Sequence, residues 1–158
     1  MADLPADRSL TQAERALTAS IFGRAIDLDK VRIRRRRWWP FQPRNVVMAP
    51  RGHIHFHPLG NGYRDCFGRG DLDDQALFIH EMVHVWQHQS GLSLILRRHP
   101  FCRYDYVFKP GRPFARYGIE QQAEIVRHVF LMRRGRRVPG KPPLAQLEAI
   151  LPFESKRP

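Results

Sequence analysis

The stretch Leu77-Phe78-Ile79-His80-Glu81-Met82-Val83-His84-Val85-Trp86-Gln87-His88 decides how the rest of the chain is read. It contains the pattern His-Glu-x-x-His. On a helix, residues four apart stack on one face, so His80 and His84 can offer two imidazoles to one metal ion. Zinc–nitrogen bonds of about 2.0–2.1 Å demand that closeness. Glu81 lies about 100° around the helix from His80, beside such an ion rather than on it. From there its carboxylate can take a proton from an attacking water and pass it to a leaving amine.

The flanking residues support a helix. Phe78, Ile79, Met82, Val83, Val85 and Trp86 fall on an arc about 160° wide, with His80, Glu81 and His84 on the other side. The competing reading is an amphipathic helix whose histidines only hydrogen-bond their neighbours. The rest of the chain weighs against it.

At 158 residues the chain is read as one domain over 1–158, with a core at about 10–135 and a linker and short helix at 136–158. A hydrophobic fraction of 42% is ordinary for a globular protein. The polar, acidic start Met1-Ala2-Asp3-Leu4-Pro5-Ala6-Asp7 has no signal-peptide character, and no apolar run approaches the length of a membrane span. Cys66 and Cys102 are too few for a disulfide framework and leave open free thiols or one bridge. The expected setting is therefore cytoplasmic, with export lacking a signal, as an effector, also open. The net charge of +12 speaks to partners rather than to fold.

Thr11-Gln12-Ala13-Glu14 reads as a capping box opening a helix that runs to about Phe22 and ends at Gly23. Val31-Arg32-Ile33-Arg34 alternates as a strand with one face in solvent. Arg34 to Arg37 and Trp38-Trp39-Pro40-Phe41 invite a nucleic-acid reading, since arginines hold phosphates and tryptophans stack on bases. No nucleic-acid motif accompanies them, so the favoured reading is a strand end with solvated arginines and aromatics that cover the core. Asn45 to Ala49 and His53 to His57 read as two strands around a turn at Pro50-Arg51-Gly52. Ile54 and Phe56 then point one way and His53, His55 and His57 the other; three histidines at period two could bind a metal, but the favoured reading is the exposed side of a strand. An N-cap is expected at Asp71 or Asp73, and the helix ends at Ser90-Gly91. Leu92 to Leu96 is a short apolar segment. Residues 97–118 form a long, largely irregular stretch, which is either functional or packed by its own aromatics. Ile119 to Met132 is helical, as is Leu144 to Ile150.

Two histidines do not complete a zinc site. His88, eight residues from His80, lies about 12 Å along the axis and cannot share the ion. Gln87 and Ser90 stand where the metzincin pattern requires Gly and His. The candidate third ligand lies in Glu120-Gln121-Gln122-Ala123-Glu124, where two carboxylates one turn apart can face the first helix. Glu120 can ligate the metal while Glu124 accepts the free N–H of a histidine. The competing reading is an exposed acidic face.

His-Glu-x-x-His followed by a helix with Glu-x-x-Ala-Asp/Glu resembles the gluzincin class of zinc metallopeptidases. More narrowly, Val31-Arg32-Ile33, Gly52-His53-Ile54-His55-Phe56 and Leu77 to Gln87 resemble a family of small bacterial metallopeptidase domains. Its members often occur with contractile injection and Vgr/Rhs-type secretion genes, and some are labelled Vgr-related. The resemblance covers about residues 15 to 131. It implies His80, His84 and Glu120 as zinc ligands, Glu81 as general base and Glu124 behind a histidine, where the wider class has Asp.

The expected fold is α+β, a compact mini-zincin with a small, mostly antiparallel sheet packed on the His-Glu-x-x-His helix and a second, Glu-bearing helix. The expected activity is zinc-dependent hydrolysis of a peptide bond in a protein or peptide. Tyr104, Tyr106, Tyr117 and His99 are candidates for the group that stabilises the oxyanion. The alternative is a non-catalytic, zinc-stabilised basic module that docks on a secretion apparatus, an acidic protein or nucleic acid. Glu81 counts against it, because a structural metal site needs no base.

Overall fold

Glu14 joins the N-terminal elements to one another. The computed structural model describes residues 6–97 and 102–154. Strand β1 (Asp7–Ser9) leads into helix α1 (Gln12–Phe22), which opens on the expected capping box. The Glu14 amide donates to Thr11 Oγ1 at 3.2 Å and the Thr11 amide to Glu14 Oε2 at 2.8 Å. The carboxylate of Glu14, fully buried, also receives both guanidinium arms of Arg8 and the Phe67 amide, each within 2.9 Å. A buried carboxylate needs several donors of this kind to offset its lost hydration. Gly23 ends α1 at φ 56°, and a Cβ there would collide with the Glu154 carbonyl.

Strands β2 (Arg32–Arg34) and β3 (Ile54–His55) complete a three-stranded sheet of order β1-β2-β3. The sheet is mixed, not mostly antiparallel: β1 runs antiparallel to β2, but β2 pairs parallel with β3, Ile33 opposite Ile54. The sequence reading missed β1, where Asp7 bridges Arg32 and Arg34 across the pair. The expected strand Asn45 to Ala49 is reduced to one antiparallel bridge, Met48 to His55. Gln42 is the reason. Its side-chain amide donates to the carbonyls of Val46 (2.8 Å) and His55 (3.2 Å), holding the segment as a loop on the sheet.

That loop also corrects two other expectations. His55 and His57 are not on an exposed face; they are 4% and 8% exposed. Trp39 and Phe41 do not cover the core: they contact each other edge to face and remain 42% and 77% exposed. Ile33, Ile54 and Phe56 are buried, as their alternation implied.

Helix α2 (Leu72–Gln89) carries the histidine motif, capped by Asp71 through the Asp74 amide at 2.8 Å. A stack of Phe56 on Phe67 (5.2 Å) and Phe67 on Phe78 (5.6 Å) fixes its N-terminal half against the end of the sheet. Removing one such buried ring costs about 3–5 kcal/mol. A short helix α3 (Leu94–Arg97) follows. Residues 102–118 are irregular apart from one 3₁₀ turn, and Tyr106, Phe114 and Tyr117 pack them down as expected. Helix α4 (Ile119–Arg133) then packs along α2. Helix α5 (Leu144–Glu148) sits on α4, and its Leu147 shares the core with Phe153, whose ring meets Phe22 and Trp86. The described residues are thus α+β, with one small sheet and five helices. None of these helices is long and apolar enough to cross a membrane.

The burial of His55 has a consequence for acid stability. Burial, reinforced by the charge of Arg34, pushes its pKa down from 6.5 to about 4. Between those pH values the unfolded chain binds a proton that the folded chain does not, so stability falls as pH falls through the interval. The loss reaches about 3 kcal/mol at its lower end. In chelator-treated protein, His55→Gln should reduce the fall in Tm between pH 6.5 and about 4, leaving the part due to His53, whose pKa burial also lowers. An unchanged slope would assign the acid sensitivity to another group.

Candidate metal centre

Two helices meet at the site, and each supplies part of it for a local reason. The 3.6-residue repeat of α2 stacks His80 and His84, whose ring centroids are 5.1 Å apart. Gly118 starts α4, its amide held by Gln121 Oε1 at 3.0 Å, so Glu120 falls in the first turn, facing α2. Glu120 Oε2 lies 3.2 Å from His80 Nε2 and 3.1 Å from His84 Nε2. These donor atoms all lie within 4.8 Å of one another, and all three residues are buried. The structure therefore brings together His80, His84 and Glu120, and leaves out His88 and the strand histidines.

Each histidine is held from behind. His80 Nδ1 is 2.8 Å from Glu124 Oε1, so the longer carboxylate does reach the ring. Glu124 is itself pinned by Arg127 at 3.1 Å and by His128 Nε2 at 3.4 Å, and Tyr106 Oη meets His128 Nδ1 at 2.8 Å. His84 Nδ1 is 2.8 Å from Gln87 Oε1, a contact the sequence reading missed. The Gln87 amide nitrogen donates to the Ile119 carbonyl (3.0 Å) and to Gln122 Oε1 (2.9 Å), and Gln122 in turn donates to the Tyr117 carbonyl (3.0 Å). With its nitrogen committed to two acceptors, Gln87 can only present oxygen to His84. That fixes the His84 proton on Nδ1 and leaves Nε2 with a lone pair. The available signal was Gln87 three residues past His84, on the same helix face.

Glu124 sets His80 the same way. Two imidazole lone pairs and a carboxylate oxygen then point at one buried spot, an arrangement that repels itself unless a cation or a proton lies between them. Nitrogen and oxygen donors at this spacing suit a divalent metal. Without a metal, protons take its part. Burial opposes charging His80, yet hydrogen bonds to Glu120 and Glu124 prevail and raise its pKa to about 9. The same contacts hold both carboxyls well below the usual range despite burial, Glu120 through His80 and His84, Glu124 through His128 and His80.

The cluster forms the floor of a cleft of about 820 Å³ with apolar walls that include Val46, Val47, Leu59 and Leu77. Glu81 lines this cleft and, among the described residues, makes no hydrogen bond or ion pair. Of the four oxyanion candidates, Tyr104 lines the cleft, its ring stacked on His80 at 6.0 Å. Tyr106 turns to His128, the Tyr117 hydroxyl accepts the Lys109 amide at 3.1 Å, and His99 lies outside the described residues. Cys66 and Cys102 do not form a disulfide.

The chain is thus a small α+β domain with a two-histidine, one-carboxylate cluster at the floor of an open cleft. Its sequence matches no protein-family model. It is 41% identical over 137 residues to the type VI secretion system spike protein VgrG2b of Pseudomonas aeruginosa, a match covering 82% of this chain but only 13% of that protein. It also superposes on the solved effector domain of Pseudomonas aeruginosa VgrG2b with a TM-score of 0.73 at 39% identity, covering 84% of this chain and 78% of that domain. The chain belongs to the family of the VgrG2b effector domain, in line with the expected Vgr relationship.

The geometry separates the roles of the residues around the cluster. Glu120→Ala leaves two imidazoles and should abolish or nearly abolish binding of Zn²⁺ in competition with a chromogenic chelator. Glu124→Ala and Gln87→Ala should each weaken it by about 10–100-fold while the site stays assembled. Loss of Zn²⁺ in Glu124→Ala with retention in Glu120→Ala would reverse the assignment.

Proposed function

We propose that this chain is a zinc-dependent peptidase, with His80, His84 and Glu120 as the metal ligands and Glu81 as the general base. The observation that carries the reading is the convergence of two Nε2 atoms and one carboxylate oxygen, each imidazole fixed from behind, in a cleft also lined by Glu81, which makes no hydrogen bond among the described residues. Among the described residues there are three such ligands, and a three-ligand set leaves a fourth position for water, as catalytic zinc sites do. A bound zinc ion supplies Lewis acidity and makes water acidic enough to attack near neutral pH.

The chain's own residues do the rest. The apolar cleft walls receive an extended peptide and exclude bulk water from the scissile amide. Glu81 takes a proton from the attacking water as the carbon–oxygen bond forms. It gives that proton to the amide nitrogen as the carbon–nitrogen bond breaks, so the products are a carboxylic acid and an amine. The Tyr104 hydroxyl is the group in the cleft suited to meet the carbonyl oxygen as it gains negative charge. Glu124 and Gln87 keep the two Nε2 lone pairs turned inward. A purely structural metal centre gives Glu81 no task, which is why the non-catalytic module is the weaker reading.

The relative is a secretion spike protein and the related structure is called an effector domain. By that kinship we read this chain as an effector, carried by a secretion apparatus and acting away from where it is made.

Glu81→Gln keeps shape but cannot accept the proton. It should retain bound zinc and lose about 100-fold or more in peptide turnover, measured on a quenched-fluorescence peptide library. Equal turnover in both proteins would remove Glu81 as the base and return the non-catalytic module.

A further inference from the structure

We propose that the cleft continues past Tyr104 into a subsite for acidic side chains, so that the substrate is a polypeptide with a run of Asp or Glu beside the cleaved bond. This rests on the peptidase reading and names its substrate class.

The first observation is continuity. Tyr104, stacked on His80, lines both the cleft and a second pocket of about 550 Å³. An extended chain lying over the cluster and running past Tyr104 enters that pocket. Val107, 73% exposed, offers it an apolar surface there.

The second observation is the sign and state of the charges. Among the described residues the second pocket is lined by Arg103, Lys109 and Arg112, with Asp105 as the one acid. Asp105 is already matched by Lys141 at 2.7 Å, so the pocket keeps an excess of positive charge. Arg112 is held in place, donating to the Arg116 carbonyl at 2.7 Å and lying 4.8 Å over the Tyr117 ring. Such a set complements carboxylates and not lysines or arginines. Arg44 adds another cation to the cleft itself, whereas Arg127 is taken up by Glu124.

The net charge of +12 would attract nucleic acid as readily as an acidic protein. The floor of the cleft decides between them. Beside the cluster, Glu81 lines it with no ion pair among the described residues, and a phosphate backbone would have to carry its charges past this carboxylate and along apolar walls. A peptide lays a neutral main chain there and places its acids beyond, where the cations stand.

The test measures binding to the full chain carrying Glu81→Gln, by fluorescence anisotropy of short labelled peptides at near-physiological salt. A peptide with a block of Asp and Glu should bind about tenfold or more tightly than the same peptide carrying Asn and Gln. The double variant Arg103→Glu/Lys109→Glu should lose most of that preference and keep the affinity for the amide peptide. The milder Arg103→Gln/Lys109→Gln, which avoids new like-charge contacts, should lose part of it. Equal affinity for acidic and amide peptides overturns the proposal. So does tighter binding of a single-stranded oligonucleotide that the same variants abolish. Cleavage by the wild-type chain is read separately: an acidic peptide bound with this preference but never cut would retire the peptidase reading and uphold the acidic subsite.

Discussion

Three electron-pair donors aimed at one buried point are the constraint around which the structure is arranged. With Nδ1 protonated, each imidazole turns an Nε2 lone pair toward the Glu120 carboxylate, which is unfavourable unless a cation or a further proton lies between them. Glu124 and Gln87 impose that orientation, each accepting the Nδ1 proton and locking the ring. Those two residues are locked in turn, Glu124 by Arg127 and His128, Gln87 by the start of α4 and by Gln122. Hydrogen bonds at the periphery thus hold together a centre that calls for positive charge, the pre-organisation that a metal centre requires. The packing of α2 along α4 sets the separation, and the stacked rings of Phe56, Phe67 and Phe78 hold α2 against the sheet.

Much of this was legible in the sequence because it depends on local spacing. The four-residue interval of His80 and His84, the capping box at Thr11 and Glu14, the Asp71 cap and the pairing of Glu120 with Glu124 are all consequences of helical periodicity. What escaped the reading depends on contacts distant in sequence. Strand β1 is three residues of no strand character, made by Asp7 reaching Arg32 and Arg34. The histidines of residues 53–57 alternate like a solvent face, yet the loop pinned by Gln42 buries two of them. Trp39 and Phe41, large and apolar, are on the outside because the same loop turns its polar Gln42 inward. Gln87 lay within the quoted motif, but its role appears only once α4 provides the Ile119 carbonyl and Gln122.

The kinship with a secretion-system effector domain gives the cleft a context, and the physics of the site gives the kinship a chemistry. On the proposed reading, the net charge of +12 gives long-range attraction to acidic targets, and the charges around the cleft would select which of them lies across the cluster.

Anomalous diffraction at the zinc edge, from crystals grown with Zn²⁺, tests whether His80, His84 and Glu120 surround one metal ion. The expected result is one peak per chain, bonded to His80 Nε2, His84 Nε2 and a Glu120 carboxylate oxygen at about 2.0–2.2 Å. No peak between these residues in metal-loaded crystals, or a peak at the histidines of residues 53–57 instead, would contradict it.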